Sequence, residues 1–318
     1  MASAVDVLTT EEIRSLRRLS TGHGLGAITW SWGVIGAALA IAGTWPSVWT
    51  LGLAWVLVGG RQVALAVLMH EAAHGTLLAD RRWNDRVGQW LCGRPVWLDL
   101  VRYRAHHLKH HRFTGTPDDP DLPLITPFPT TRWGLIRKLL RDVSGISGLR
   151  RLVGLVLIDL GWVRYTLSGE AEWLDQTGRT ASGRLRDGLQ EIGPVVATNA
   201  ALALALHAAG VGWTWWIWAV AWLTTNGLFL RLRGLAEHAV TEISDRRLRN
   251  TRTTHVGWLA RATVAPHQVA YHLEHHLLMT VPFHQLPRLH RLLRARGALD
   301  GAPVADSYAD VLVALSSA

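Results

Sequence analysis

Ten of the sixteen histidines fall in four places along the chain. The first is His70-Glu71-Ala72-Ala73-His74, and the second is His106-His107-Leu108-Lys109-His110-His111. The third is His238, directly after Glu237, and the fourth is His272-Leu273-Glu274-His275-His276. On a helix, residues three and four apart share a face. His70 and His74 are such a pair. His107, His110 and His111 form a triplet at i, i+3 and i+4, and His272, His275 and His276 repeat it. Each group can aim two or three imidazoles at one point. Neutral imidazole suits zinc, iron, copper and nickel. One such ion takes about four to six ligands, so eight or more converging histidines imply two metals.

Two simpler readings compete. His70-Glu71-x-x-His74 matches the helix motif of zinc proteases, with Glu71 as general base. A protease needs one further ligand, which leaves both triplets without a role. Glu71-x-x-His74 also matches the Glu-x-x-His of soluble di-iron bundles. Those need a second copy, and neither Glu191 nor Glu237 has a histidine three residues on.

The elements that must position these residues are membrane helices. Hydrophobic residues are 49% of the 318, yet the net charge is +9. The two facts are reconciled by segregation, because charges sit between apolar blocks. A span needs roughly 20 mostly apolar residues. Four stretches qualify: 25–45, 47–69 (interrupted only by Arg61), 192–209 and 211–230. Pro46 and Gly210 mark short connections, so the spans read as two hairpins. The expected fold is an all-α integral membrane protein, one domain over 1–318, with a helical cap from 70–191 and 231–318 holding a di-metal site. A fifth apolar stretch, Leu152 to Leu167, contains Asp159 and Arg164 and reads as interfacial or re-entrant, since both charges are costly in lipid. The tail from Leu299 on, with Pro303 and Tyr308 to Leu315, reads as forming a short closing helix.

Of the 33 Lys and Arg residues, 32 lie on the side that carries residues 1–24, 70–191 and 231–318. The positive-inside rule makes that side, with both termini and all ten histidines, cytoplasmic. The 31 arginines form no dense tract, so nucleic acid is not the expected partner. Arg61, an intramembrane charge and so a flag for a functional site, reads preferentially as structural: a snorkelling or bundle-facing arginine paired with backbone or an acid. The single cysteine, Cys92, excludes a disulfide framework and a cysteine-based zinc site.

The boxes H-x-x-x-H, H-x-x-H-H and H-x-x-H-H resemble those of the membrane fatty acid desaturase family, which includes related hydroxylases. The resemblance covers roughly residues 47 to 290. It extends to His111-Arg112-Phe113-Thr114-Gly115 with Asp118-Asp119-Pro120-Asp121, and to Tyr271 before the last box. It implies a four-span fold with a cytosolic cap and two irons. The implied ligands are His70, His74, His107, His110, His111, His272, His275 and His276, with His238 as a ninth. It also implies O2 as co-substrate, a lipid acyl chain as substrate, and an external electron donor such as ferredoxin or a cytochrome b5-like protein. Desaturation is preferred from the box spacings, with a lipid or carotenoid hydroxylase or ketolase as the alternative on the same scaffold.

Some family members add an asparagine acting through water. Asn226 and Asn250 are candidates, but neither matches a motif. His106 departs from the pattern and is placed beside the centre rather than in it. His255, His267, His284 and His290 read as surface or polar contacts. A ligating imidazole usually gives its other N–H to a carboxylate or carbonyl. Glu71, Glu237, Glu274, Asp118, Asp119 and Asp121 are the acids placed for that task.

Overall fold

Polar caps and turns cut the apolar sequence into helices. The structure, a computed structural model, describes residues 5–165 and 171–318. After a short α1 (Thr10–Leu16), the Ser20 hydroxyl accepts from the His23 amide and starts α2 (Thr21–Thr44). Ser47 does the same with Thr50 and starts α3 (Val48–His74), which ends on Gly75 in the left-handed conformation, φ 77°. Thr180 caps α9 (Ala181–Ala208). These three helices are long and apolar enough to cross a membrane. Helix α3 runs through to His74, so the first histidine pair sits in its last turn rather than in the loop beyond.

Residues 211–230, expected as one helix, are interrupted. A single 3-10 turn leads into α10 (Trp215–Leu223), and α11 (Thr225–His238) follows a break at Thr224, φ −121° and ψ −89°. Hydropathy is blind to this break because it is made by distant partners. Arg151 Nη2 donates to the Trp222 carbonyl (2.5 Å), and Gln62 Nε2 donates to that of Trp218 (2.9 Å). Trp55 Nε1 donates to Thr224 Oγ1 (2.8 Å). Irregular backbone at membrane depth persists only where such partners satisfy it.

The helices outside the long apolar ones are short. They include α4 (Arg81–Val87), which runs into a π-helical turn at Gly88–Gly93, then α5 (Leu100–Phe113), α6 (Leu122–Ile125), α7 (Arg132–Val143) and α8 (Ile146–Asp159). After the last span come α12 (Trp258–Ala262), α13 (His272–Leu277), α14 (Leu286–Ala295) and the expected closing helix α15 (Tyr308–Leu315). Two small sheets qualify the all-α expectation. β1 (Val163–Tyr165) pairs antiparallel with β2 (Ala171–Trp173), and β3 (Thr253–Thr254) pairs parallel with β4 (Val304–Ala305). The stretch expected as one interfacial helix from 152 to 167 is therefore the end of α8 followed by β1; its residues 166 and 167 lie outside the described ones. Asp159, which looked out of place there, accepts from Trp97 Nε1 (3.0 Å) and Arg102 (2.8 Å).

Helix α3 is the axis. Every residue from Val58 to Ala73 is buried, and the helix packs on α2, α5, α10 and α11. Glycines permit the closest approaches. A Cβ at Gly59 would stand 2.1 Å from Thr225 Oγ1, and one at Gly60 would stand 2.6 Å from the Ala262 carbonyl oxygen. Arg61, one residue on, donates from Nη2 to the carbonyls of Arg261 (3.0 Å) and Ala262 (2.7 Å), the bundle-facing arrangement expected of it.

Candidate metal centre

The last turn of α3 is pinned before any metal is considered. Arg104, on α5, donates to the carbonyls of Ala72 and Ala73 (both 2.9 Å) and pairs with Asp85 (2.6 Å). Asn84 Nδ2 also donates to the Ala72 carbonyl (2.9 Å). A cation over the open carbonyls of a helix C-terminus is favourable. The arrangement lays α5 across the end of α3, so His70 and His74 meet His107 and His111. Helix α13 closes the site from the far side, with Leu273 and Leu277 anchored among the apolar residues of α14.

The nine expected histidines fall into two groups. His70, His74, His107, His111 and His275 bring one nitrogen each within 4.8 Å of one another. His110, His238 and His276 form a second group, and His272 adjoins it with its Nε2 2.8 Å from that of His238. In the first group the Nε2 of His107 is 3.0 Å from those of His74 and His111, and the Nε2 of His275 is 3.0 Å from that of His111. Two nitrogens held about 2.1 Å from one ion at a right angle stand about 3.0 Å apart. Both groups draw on several helices, so neither forms before the tertiary fold.

The donor set fits cations. Buried polar atoms are as a rule hydrogen-bonded, yet both ring nitrogens of His70 and Nε2 of His276 are buried and have no hydrogen-bond partner among the described residues. Burial holds His107, His272, His275 and His276 well below the usual imidazole pKa and takes His111 to about 2. All are neutral at pH 7, the form that ligates.

Asp119 braces a ring by a hydrogen bond, and Glu237 and Glu71 stand close to ring nitrogens. His110 Nδ1 donates to Asp119 (2.8 Å), and Asp119 also accepts from the amides of Gly115 (3.0 Å) and Asp121 (2.9 Å). Burial would raise the Asp119 pKa, but the His110 bond and these amides hold it below the usual carboxylate value. Glu237 stands 3.5 Å from His272 Nδ1 and is paired with Arg233 (2.7 Å). Glu71 lies 3.7 Å from His70 Nδ1 and accepts from Thr76 Oγ1 (2.8 Å) and the Phe283 amide (3.0 Å). His106 points away from the groups: its side chain is 49% exposed and donates to Asp121 (2.9 Å), which raises its pKa.

Two acids depart from expectation. Asp118 is exposed and bonds none of the histidines. Glu274 is fully buried but accepts from Thr253 Oγ1 (2.5 Å) and His290 Nδ1 (2.6 Å), because it lies two residues from His272 and thus on the opposite side of α13. His290 is accordingly a buried structural partner. Asn250 lies beside His111 and His276 at a small cavity, its Oδ1 without a partner, while Asn226 bonds Arg151 instead. Sequence reasoning missed Tyr103, whose ring stacks on His107 (5.1 Å). Its position at i−4 from that histidine was the available signal.

Besides the small cavity at Asn250, two larger cavities reach the histidines. One, of about 650 Å³, is lined by His107, His110, His238 and His272 together with Tyr103 and residues of α8 and α11. The other, of about 370 Å³, is lined by His111 and His276 with Arg17, Arg112 and Arg247. A third, of about 550 Å³, is apolar, lies among Trp97, Trp215, Trp218 and Trp222, and includes no histidine.

With this geometry established, comparison with known proteins is informative. Residues 25–308 match the sequence model of the family described as fatty acid desaturase. The chain is 28% identical over 270 residues to dihydrorhizobitoxine desaturase of Bradyrhizobium elkanii, covering 80% of this chain and 71% of that protein. It is 27% identical over 246 residues to beta-carotene ketolase of Paracoccus sp. strain N81106, covering 74% and 76%. A second Paracoccus beta-carotene ketolase, from strain PC1, is 29% identical over 248 residues. The chain belongs to the fatty acid desaturase family, a family of oxidoreductases.

Proposed function

We propose that this member of the family is an O2-dependent lipid desaturase that holds two irons, one in the five-histidine group and one in the four-histidine group, and acts on an acyl chain. The observation that carries the reading is the pairing of two imidazole groups with a cavity that ends on them. Removing hydrogen from an unactivated carbon is beyond acid–base side chains, and the irons supply that chemistry together with O2 activation. What the chain itself does is hold and orient. Asp119 fixes which nitrogen of His110 faces the cavity, Tyr103 packs His107, and α11 lines the space in which the substrate lies. Arg104 keeps α3 and α5 in register, and Asn84 ties α4 to the same turn of α3.

Electrons are proposed to arrive from an external carrier. The basic cavity of Arg17, Arg112 and Arg247 opens beside His111 and His276, one from each group, and suits an acidic protein such as ferredoxin or a cytochrome b5-like donor. The charge bias of the loops supports a four-span topology with this face in the cytoplasm, the interrupted α10–α11 pair serving as the fourth span.

The protease alternative has lost support, since Glu71 is occupied by Thr76 and Phe283 and three further histidines crowd the pair it would use. Hydroxylation or ketolation keeps support from the two beta-carotene ketolases among the relatives. Expression of the wild type and His275→Ala in a lipid-producing host, followed by mass spectrometry of lipids and carotenoids, separates the outcomes. A new double bond absent from the variant is the expected result. A new hydroxyl or keto group would transfer the assignment to the second reading.

A further inference from the structure

The cavity of about 650 Å³ extends from the histidines to Arg151 on α8, and among the described charged residues that line it Arg151 alone makes no ion pair. Arg231 pairs with Asp142, Arg233 with Glu237, and Asp121 with His106. Arg151 pairs with no carboxylate among the described residues. It spends two of its five N–H groups on neutral acceptors, the Asn226 side-chain oxygen (3.1 Å) and the Trp222 carbonyl (2.5 Å). Its guanidinium lies over the Trp222 ring at 4.0 Å, and its Nε is buried without a partner. Asp142 attracts the guanidinium from beyond ion-pair distance but is itself paired with Arg231, and a desolvated cation without a direct ion-pair partner is costly. A fork held over an aromatic ring, with N–H groups still unused, is placed to receive a carboxylate or phosphate.

We infer that Arg151 binds the oxyanion head of the alkyl-chain substrate, and that α11 sets the distance from that head to the carbon presented at the histidines. The inference rests on the acyl-chain reading above and adds the substrate's charge and its anchoring point. Gly227, Leu230, Gly234 and His238 follow one another at helical spacing of three or four along α11, and all four line the cavity. A Cβ at Gly227 or Gly234 would meet nothing within 4 Å, so the two glycines leave a groove open along the helix. Helical rise from Asn226, which holds Arg151, to His238 is roughly 18 Å. The head therefore lies at one end of this groove and the metal groups at the other. Arg151 also supports the break at Thr224, so its charge must be tested separately from its structural bonds.

The test uses the full metal-loaded chain in detergent and competition against tritiated dodecanoate. Wild type should bind dodecanoate about tenfold to hundredfold more tightly than dodecanol, the worth of a hydrogen-bonded ion pair. Arg151→Gln should abolish that preference while keeping dodecanol binding, and Arg151→Lys should retain part of it. Dodecyl phosphate is the second arm. Preference for it over dodecanoate identifies a phosphate lipid as the source of the head, and the reverse identifies a free acid; both support the inference. If Arg151→Gln does not fold, the wild-type comparison decides, because equal binding of acid, phosphate and alcohol overturns the proposal. A product measurement is independent. With tetradecanoate, hexadecanoate and octadecanoate, the modified carbon should lie at a constant distance from the carboxylate. A position constant from the methyl end overturns the inference even if alkenes form. Alcohols formed at a constant distance from the carboxylate would instead refute desaturation and leave the role of Arg151 standing.

Discussion

Asp119→Asn should weaken one metal and spare the other. Asp119 is buried and accepts three N–H groups at once: His110 Nδ1 at 2.8 Å and the amides of Gly115 and Asp121 at 3.0 and 2.9 Å. An asparagine in the same place offers one oxygen and one NH2, so at least one of the three donors faces another donor. The imidazole of His110 then loses the anchor that turns its Nε2 toward His238 and His276. Removing such a brace costs about 10–100-fold in metal affinity, or about 1.4–2.7 kcal/mol. His110 belongs to the four-histidine group alone, so the five-histidine group should keep its affinity. Titration against a competing chelator, read by metal analysis on purified protein, resolves the two binding steps. The reasoning is refuted if both steps weaken together, or if neither changes.

Other variants test other links. Glu274→Ala leaves the Thr253 hydroxyl and the His290 ring without their buried acceptor and should destabilise the metal-free fold by about 3 kcal/mol or more, seen as a lowered melting midpoint. Gly234→Ala should favour the helical state of α11 by about 0.5–1 kcal/mol while narrowing the cavity. Its melting midpoint should hold or rise as KM for substrate rises, and a fall in both would contradict the open space at that position. In the metal-free protein, burial depresses the pKa values of His107, His111, His272, His275 and His276. Below the ordinary imidazole value of about 6.5 the unfolded chain therefore binds more protons than the folded one. Stability should be full above pH 6.5 and fall as pH drops from there, and melting midpoints measured from pH 7.5 to 5.5 that rise on acidification would contradict it.

Much of the centre was legible because spacing on a helix is local information. The triplets at i, i+3 and i+4 indicated which imidazoles share a face, and the same rule, applied to Glu274, would have placed that acid on the opposite side. Asp118 and Asp119 are adjacent and chemically equal in sequence. Only the turn at Thr114 to Asp119, which brings the Gly115 amide to Asp119, distinguishes them. The break between α10 and α11 was not legible, since residues 215 to 230 are uniformly uncharged and the partners that stabilise the break come from α3 and α8. The pairing of β3 with β4 joins residues far apart in the chain and leaves no periodic trace. Arg151 looked like one more positive loop charge, and its significance depends on which neighbours lack a carboxylate, a property of the folded cavity alone.

The central claim is that two metals are held by nine histidines divided five and four. Metal analysis of the purified full chain, with iron and zinc measured together per polypeptide, tests it directly. The account predicts two irons per chain in the wild type and in His106→Ala, and one when His238→Ala and His276→Ala are combined. A single zinc per chain, lost on His74→Ala but untouched by the His238→Ala and His276→Ala pair, would contradict it.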